Sequence, residues 1–360
     1  MSTVAHYEIT LAPTDLQWLR RHTGTHRCFP ADLRAGSGTW PIWVGYRGCS
    51  SRWFRKPSFD LWFADERRMD GHARLHLNAA YRDPSLLRSR LAMELFTSLG
   101  VPAPRAWHCW LAVNGQPLGL YLALESIDAA WLRRQGHPEG AIYYAVGTQG
   151  DFQRIHTATG KAKRYLAAGY EKCYPCDDDF ADLVELVRAV ALTSDAAFVE
   201  RIDALLDVET FLRWLIGVEF VSHTDGLIQN YALYRPAGGR WSISPWDCDG
   251  TFGRIPDGRI LKPDEMPVGT GDDNNLAARL LRTERWRGRY RELWAEMLRT
   301  VLTREAIVPR LAVLYREIRP YARRDFNKRL SNTTFAREPA RIRRYIAERT
   351  AVVRGRLSRM

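Results

Sequence analysis

Apolar residues change their spacing along this chain at about residue 178, and that change restricts the fold more than any other feature. Ahead of it, the runs "TWPIWVGYRG", "KPSFDLWF", "RAWHCWLAVNG" and "GLYLALESID" alternate in the manner of strands, and the turn "NGQPLG" joins the last two. One helix is expected among them, over residues 83–100. There Asp83 is placed to cap, Pro84 to take the first helical position, and Gly100 to end a stripe of Leu87, Leu91 and Leu95. Beyond residue 178 the period becomes three to four, which predicts helices over 179–192, 195–206, 208–220, 273–299, 303–329 and 336–358. A hairpin between residues 230 and 247 interrupts that series. The pattern predicts an α+β protein with a β-rich front lobe and a helical back lobe, and a site between them.

With 46% hydrophobic and 26% charged residues over 360 positions, the chain can bury a sizeable core. Its 53 Lys and Arg exceed its 41 Asp and Glu, a formal charge of +12 that favours an acidic or phosphate-bearing partner. Much of the excess is arginine on amphipathic segments such as "RTERWRGRYRELWAEMLR", and no basic block with interleaved aromatics argues for nucleic acid. No run approaches the roughly 18 apolar residues of a membrane span, and the first residues lack the pattern of a secretory signal. Six scattered cysteines suit reduced thiols, and a cytoplasmic place is expected. Cys173 and Cys176 form a C-x-x-C with no second pair to complete a zinc site. The acidic triplet Asp177, Asp178 and Asp179 is read as loop and helix cap.

The stretch "SHTDGLIQNYALY" sets His223, Asp225 and Asn230 in the frame H-x-D-x-x-x-x-N, directly after the apolar helix "ETFLRWLIGVEF". The turn "PAGG" then returns the chain through "RWSISPWD", so Asp247 and Asp249 are expected at the same end of the hairpin as Asn230. Two carboxylates separated by one residue repel each other, and a cation is the usual remedy. Protein kinases carry H-R-D-x-x-x-x-N for a base and a metal ligand, then a hairpin, then an Asp that grips metal. On that pattern Asp225 accepts the substrate proton, while Asn230 and Asp249 hold Mg²⁺ through hard oxygen ligands. A plainer reading stands beside it: Asp247 and Asp249 as turn residues, and His223 as a core histidine with no part in proton transfer.

Four stretches in order, "YRGCSSRWFRKPSFDLWF", "YRDPSLLRSRLAMELFTSLGVPAPR" with "VNGQPLGLYLALESID", "HTDGLIQNYALYR" and "WSISPWDCDGTFG", resemble the spore coat protein H-like (CotH) kinases, atypical relatives of protein kinases. The tail "NNLAARLLRTERWRGRYRELWAEML" is similar as well, so the resemblance covers about residues 40–355. It implies a two-lobed atypical protein-kinase-like fold: an N-terminal extension over 1–39, a β-rich nucleotide-binding lobe over 40–128 and a helical catalytic and substrate lobe over 129–360. It further implies ATP-dependent phosphorylation of Ser or Thr on a protein or peptide substrate, with Mg²⁺ or Mn²⁺, and a place in a spore coat. Neither a nucleic acid nor a membrane is expected as a partner.

By the same resemblance Asp225 is the catalytic base, and Asn230, Asp249 and Asp247 are metal ligands. Gly48, Ser50 and Ser51 belong to a loop over the nucleotide, and Lys56 neutralises phosphate charge. Glu94 pairs with Lys56, and Glu125 marks the hinge where adenine lies. Read without the family, Lys56 is a surface lysine, Glu94 a solvent-facing helix residue and Glu125 structural. Cys49 stands where the family usually has Asn, Arg88 resembles a family arginine of no assigned role, and residues 145–178 correspond weakly. Transfer of AMP, ATP-driven peptide modification and a non-catalytic nucleotide-binding scaffold are the alternatives on this scaffold.

Overall fold

In a computed structural model the described residues are 4–64, 68–156, 159–255 and 257–359. The alternating front segments form seven strands: β1 (Ala5–Leu11), β2 (Phe29–Ala35), β3 (Gly38–Arg47), β4 (Ser58–Phe63), β5 (Arg74–Asn78), β6 (Ala106–Val113) and β7 (Gln116–Glu125). They close into a barrel in the order β1-β2-β3-β4-β5-β7-β6. Only the β1–β6 pair is parallel among these neighbours. Ile9, Leu33, Leu61, Leu75 and Leu111 fill the interior, and closure leaves no open edge. Residues 1–39, expected as an extension, thus supply two barrel strands and, between them, helix α1 (Pro13–Arg21). The front is a closed barrel rather than an open lobe sheet.

Helix α2 (Arg88–Ser98) starts four residues later than the sequence suggested. Asp83 still serves its start, because its carboxylate accepts the backbone N–H groups of Leu87 and Arg88, both at 3.0 Å. Gly100, at φ +79°, closes its other end as expected. A short helix α3 (Ala129–Arg134) leads into a second sheet of β8 (Gly140–Ala145), β9 (Tyr170–Tyr174), β10 (Tyr231–Pro236) and β11 (Ser242–Pro245), ordered β11-β10-β8-β9. The expected hairpin is β10–β11, with Tyr231 opposite Pro245.

The back helices are α4 (Ala181–Leu192), α5 (Asp195–Leu205), α6 (Val208–Val221), α7 (Asn275–Arg282), α8 (Glu284–Met297), α9 (Arg304–Arg324) and α10 (Asn332–Leu357), and the single helix expected over 273–299 is two, because the extended backbone of Thr283 separates α7 from α8. Helix α6 is apolar over most of its surface and runs through the centre, with Phe211, Leu215, Val218 and Val221 fully buried. Gly217 lets α2 cross it closely, since a Cβ there would meet the Phe96 ring at 2.4 Å. Leu120 and Leu124 of β7 belong to the same core as these helices, so barrel and helices share buried surface.

A buried ion pair adds to that union. Just past α9, Asp325 enters the barrel wall, where Lys56 Nζ donates to it at 2.7 Å and the Leu120 N–H at 3.0 Å. Lys56 also donates to the Leu120 carbonyl at 2.6 Å. Gly119, at φ +108°, leaves room for the carboxylate, which a Cβ would meet at 2.3 Å. Burial pulls the lysine pKa down and Asp325 opposes that fall. Removing one partner strands a charge, so Asp325→Ala should cost about 3–5 kcal/mol, whereas the apolar pair Lys56→Met with Asp325→Leu should be close to neutral. Urea denaturation of the two variants checks this, and equal losses would show that packing rather than charge governs the junction.

Glu219 of α6 is buried among helices, accepting from Tyr290 Oη and, at 2.9 Å, from the Gly269 N–H. Burial pushes its pKa up to about 7 despite those donors. Between the ordinary carboxylate range, about 4.3, and that value, the folded state holds a proton that the unfolded chain has lost. Its contribution is therefore full at low pH and lost as pH rises toward 7. Relative to the wild type, Glu219→Gln should flatten the fall in urea-unfolding stability between pH 5 and 7, windows set by these values. Parallel pH profiles for the two proteins would refute it.

Candidate active site

The chain leaves α6 through Ser222, whose left-handed backbone at φ +52° turns it toward the β10–β11 hairpin. His223 is buried, and its Nε2 faces the Trp246 carbonyl at 3.1 Å. Burial lowers its pKa, so the neutral ring stitches the loop to the end of β11, in keeping with its expected structural role. A short 3₁₀ turn, Thr224–Leu227, then carries Asp225. Asn230 enters β10 at φ +60°, donating its N–H to the Ala145 carbonyl at 2.8 Å and accepting that of Trp246 at 3.0 Å. Asp247 is also left-handed, at φ +48°, a conformation that Asn and Asp tolerate better than most residues. One hairpin end thus presents Asp225, Asn230, Asp247 and Asp249 to one cleft of about 410 Å³.

Asp225, Asn230 and Asp249 are half-buried and Asp247 is exposed. Among the described residues none of the three carboxylates accepts a hydrogen bond or forms an ion pair. Burial, the neighbouring Asp247 and Asp83 together hold the Asp249 carboxyl well above the usual range, and Arg82 partly offsets them. Such an all-oxygen set with unmatched negative charge suits a hard divalent cation. Among the described residues no three His, Cys, Asp or Glu side chains stand close enough to hold a metal alone. The amide oxygen of Asn230 and oxygens from a bound substrate would complete the shell, as Mg²⁺ sites commonly require.

The segment carrying Asp249 is pinned from behind. Thr251 Oγ1 donates to the Cys248 carbonyl at 2.9 Å, and the Phe252 N–H to that of Val221 at 2.6 Å. Arg88, fully buried, donates through Nε to the Thr251 carbonyl at 2.8 Å, through Nη1 to Asp83 at 2.6 Å and through Nη2 to Glu338 of α10 at 2.7 Å. Arg254 shares Glu338 at 2.9 Å. This answers the open question about Arg88: it ties α2, the Asp249 segment and α10 into one buried network.

The opposite wall of the cleft includes Gly48, Cys49 and Ser51. Gly48 is at φ +93°, and a Cβ there would lie 1.9 Å from Ser51 Oγ, so the turn requires glycine. The Ser50 side chain lies outside the described part of the structure. Lys56 corrects the sequence reading: it is paired with Asp325 and does not line the cleft, because a carboxylate 269 residues downstream takes its ammonium. Glu94 corrects it too. It pairs with Arg90 at 3.2 Å and Arg310 at 2.6 Å on the outer side of α2, not with Lys56. Glu125 is buried at the end of β7, where it accepts the Arg105 N–H at 3.0 Å and pairs with Arg134, so its side chain is structural. The sequence reading overlooked Arg47, Asn78 and Arg82 on the cleft wall. Only the position of Arg82, directly before the helix-starting Asp83, could have drawn attention to it.

Residues 44–353 match the family described as CotH kinase protein. The chain is 32% identical to the inner spore coat protein H of Bacillus subtilis (strain 168) over 358 residues, covering 99% of this chain and 98% of that protein. It is 28% identical to an inner spore coat protein H-like protein of the same organism, covering 82% of this chain and 84% of the relative. A crystal structure of a Helicobacter pylori proinflammatory kinase, CtkA, covers 84% of this chain and 94% of its own at 10% identity and a TM-score of 0.36, a likeness too loose to carry an argument. The extent of the family match and the full-length likeness place this chain in the CotH kinase protein family.

Proposed function

We propose that this protein transfers the γ-phosphoryl group of ATP to a Ser or Thr hydroxyl of a protein or peptide, with Mg²⁺ or Mn²⁺ as cofactor. The observation that carries the reading is the convergence of Asp225, Asn230, Asp247 and Asp249 on one cleft with no counter-charge from the hairpin that presents them. Membership of a kinase family supports the reaction class. The barrel side would take the nucleotide and the helical side the acceptor, a division in keeping with a kinase-like scaffold. The full-length likeness to an inner spore coat protein supports a place in a spore coat.

In this reading the Asp225 carboxylate accepts the proton of the acceptor hydroxyl as its oxygen bonds to the γ-phosphorus. The bond from that phosphorus to the bridging oxygen breaks, and ADP leaves with the electron pair. Asn230, Asp249 and Asp247 would hold the divalent cation, which would supply positive charge to offset that of the phosphates. The backbone N–H groups of the Gly48–Ser51 turn face the phosphates from the barrel side.

Asp225→Asn should leave nucleotide affinity within about threefold of wild type and lower transfer at least ~10³-fold, the scale of losing a base together with its charge. Asp249→Asn should instead weaken the cation-dependent part of ATP binding roughly 10- to 100-fold. Radiolabelled phosphate transfer and calorimetry read the two effects, and intact mass of the product separates phosphoryl from adenylyl transfer. Normal transfer by Asp225→Asn would reject the assignment of the base, and an adenylyl adduct would reject the phosphoryl reaction.

A further inference from the structure

The excess positive charge of this chain is concentrated in one part of the fold. Residues 302–359, which hold α9, α10 and the loop between them, carry 16 Lys and Arg against five Asp and Glu, an excess of 11 out of the chain's +12. Three of those five acids are turned inward: Glu317 pairs with Arg90 at 3.0 Å, Asp325 with Lys56 at 2.7 Å and Glu338 with Arg88 at 2.7 Å. The buried pairs that fasten α9 and α10 to the barrel and to α2 therefore strip the outer face of carboxylates.

Arg316, Arg319 and Arg323 recur at three-to-four spacing on α9, Arg324 ends that helix, and Arg329 follows on the loop. All five are exposed, and among the described residues none of their guanidinium groups makes a hydrogen bond or an ion pair. A merely solvated helix face interleaves both signs of charge. Here the acids between residues 306 and 337 are Glu317 and Asp325, both inward. The loop is also anchored beside the cleft. Lys56 and the Leu120 N–H hold Asp325, and Phe54, Ser58 and Leu122, each two positions along the chain from one of that pair, line the cleft.

We infer that this face docks a phosphorylated segment of the acceptor protein, so that serines already modified hold the chain while further ones enter the cleft. The inference rests on the phosphotransfer reading above, which supplies the phosphate, and extends it to the substrate class. A phosphoserine carries about 1.5 to 2 negative charges, and the planar fork of arginine pairs with two of its oxygens at once. Arg319 and Arg323 stand about 6 Å apart along the helix axis, and alternate residues of an extended chain are about 6.6 Å apart, so phosphoserines at alternate positions fall in register with them. Phe326, 89% exposed beside Arg324, gives a protein partner one ring to cover. A single ring is too little to stack successive bases or to hold a lipid surface, so a phosphoprotein fits this face better than a nucleic acid or a membrane.

The test uses fluorescence anisotropy of the full chain with peptides in which phosphoserine or serine alternates with glycine, beside oligothymidylate and phosphatidylglycerol vesicles. Wild type should bind the phosphopeptide and not its unphosphorylated form. Exchanging Arg316, Arg319 and Arg323 together for Gln should weaken that binding roughly 10- to 100-fold, the scale of three exposed charge pairs. Removing the same number of charges at the exposed Arg287, Arg291 and Arg299 should change it less than about threefold, since salt screens distant charge. Thermal unfolding of both variants should match wild type, so that a loss of binding is a loss of contact. In transfer assays the first variant should raise KM for a peptide that already carries phosphoserines, at unchanged kcat, and leave an unmodified serine peptide as it was. Phosphopeptide affinity that survives in the first variant, falls equally in the second, or is missing from wild type overturns the inference and leaves the phosphotransfer reading intact. Tighter binding of the oligonucleotide or the vesicles overturns it in favour of that partner. Arginine-dependent phosphopeptide binding by a wild type that transfers no phosphate keeps the docking face and rejects the kinase reading.

Discussion

Mutual repulsion among Asp225, Asp247 and Asp249 is the constraint around which the rest of this structure is arranged. Burial, joined by the nearby Asp247 and Asp83, holds the Asp249 carboxyl well above the usual range, and Arg82 offsets this only in part. The surrounding scaffold holds these acids together at one end of the hairpin.

The scaffold does this with buried charge of its own. Arg88 joins Asp83, Glu338 and the Thr251 carbonyl behind the Asp249 segment. Lys56 and Asp325 lock the barrel to the loop after α9. Buried ion pairs add little net stability compared with well-packed apolar side chains, yet breaking one is costly, so they penalise every arrangement in which partners separate. Here they hold α2, α9 and α10 in one relation to the barrel. Helix α6 supplies the rest: its largely apolar surface buries it centrally and delivers Asp225 from a fixed C-terminus.

The same logic explains why expected partners were exchanged. Lys56 sits between the glycine turn and β4, the place from which a lysine could reach phosphate. Gly119 opens a pocket on its other side, and Asp325 fills it from the far end of the chain. Glu94, which was to meet that lysine, instead faces arginines on α2 and α9. Once its lysine is withdrawn, the cleft is left with Arg47 and Arg82 as the cations lining it among the described residues.

Local pattern was enough for much of this. The switch in apolar spacing near residue 178, the largely apolar α6, the β10–β11 hairpin and the grouping of Asp225, Asn230, Asp247 and Asp249 all follow from short-range periodicity and one turn, so they were legible in the chain alone. Barrel closure through β1 and β2 was not, because a parallel pairing of β1 with β6, a hundred residues on, leaves no local mark. Nor were the partners of Lys56, Glu94 and Arg88. An ion pair is chosen by which opposite charge comes nearest after the core has packed, and for Lys56 that charge lay 269 positions away. The residues themselves therefore determined the elements and the acidic cluster, whereas three-dimensional packing alone decided which cations were left to face it.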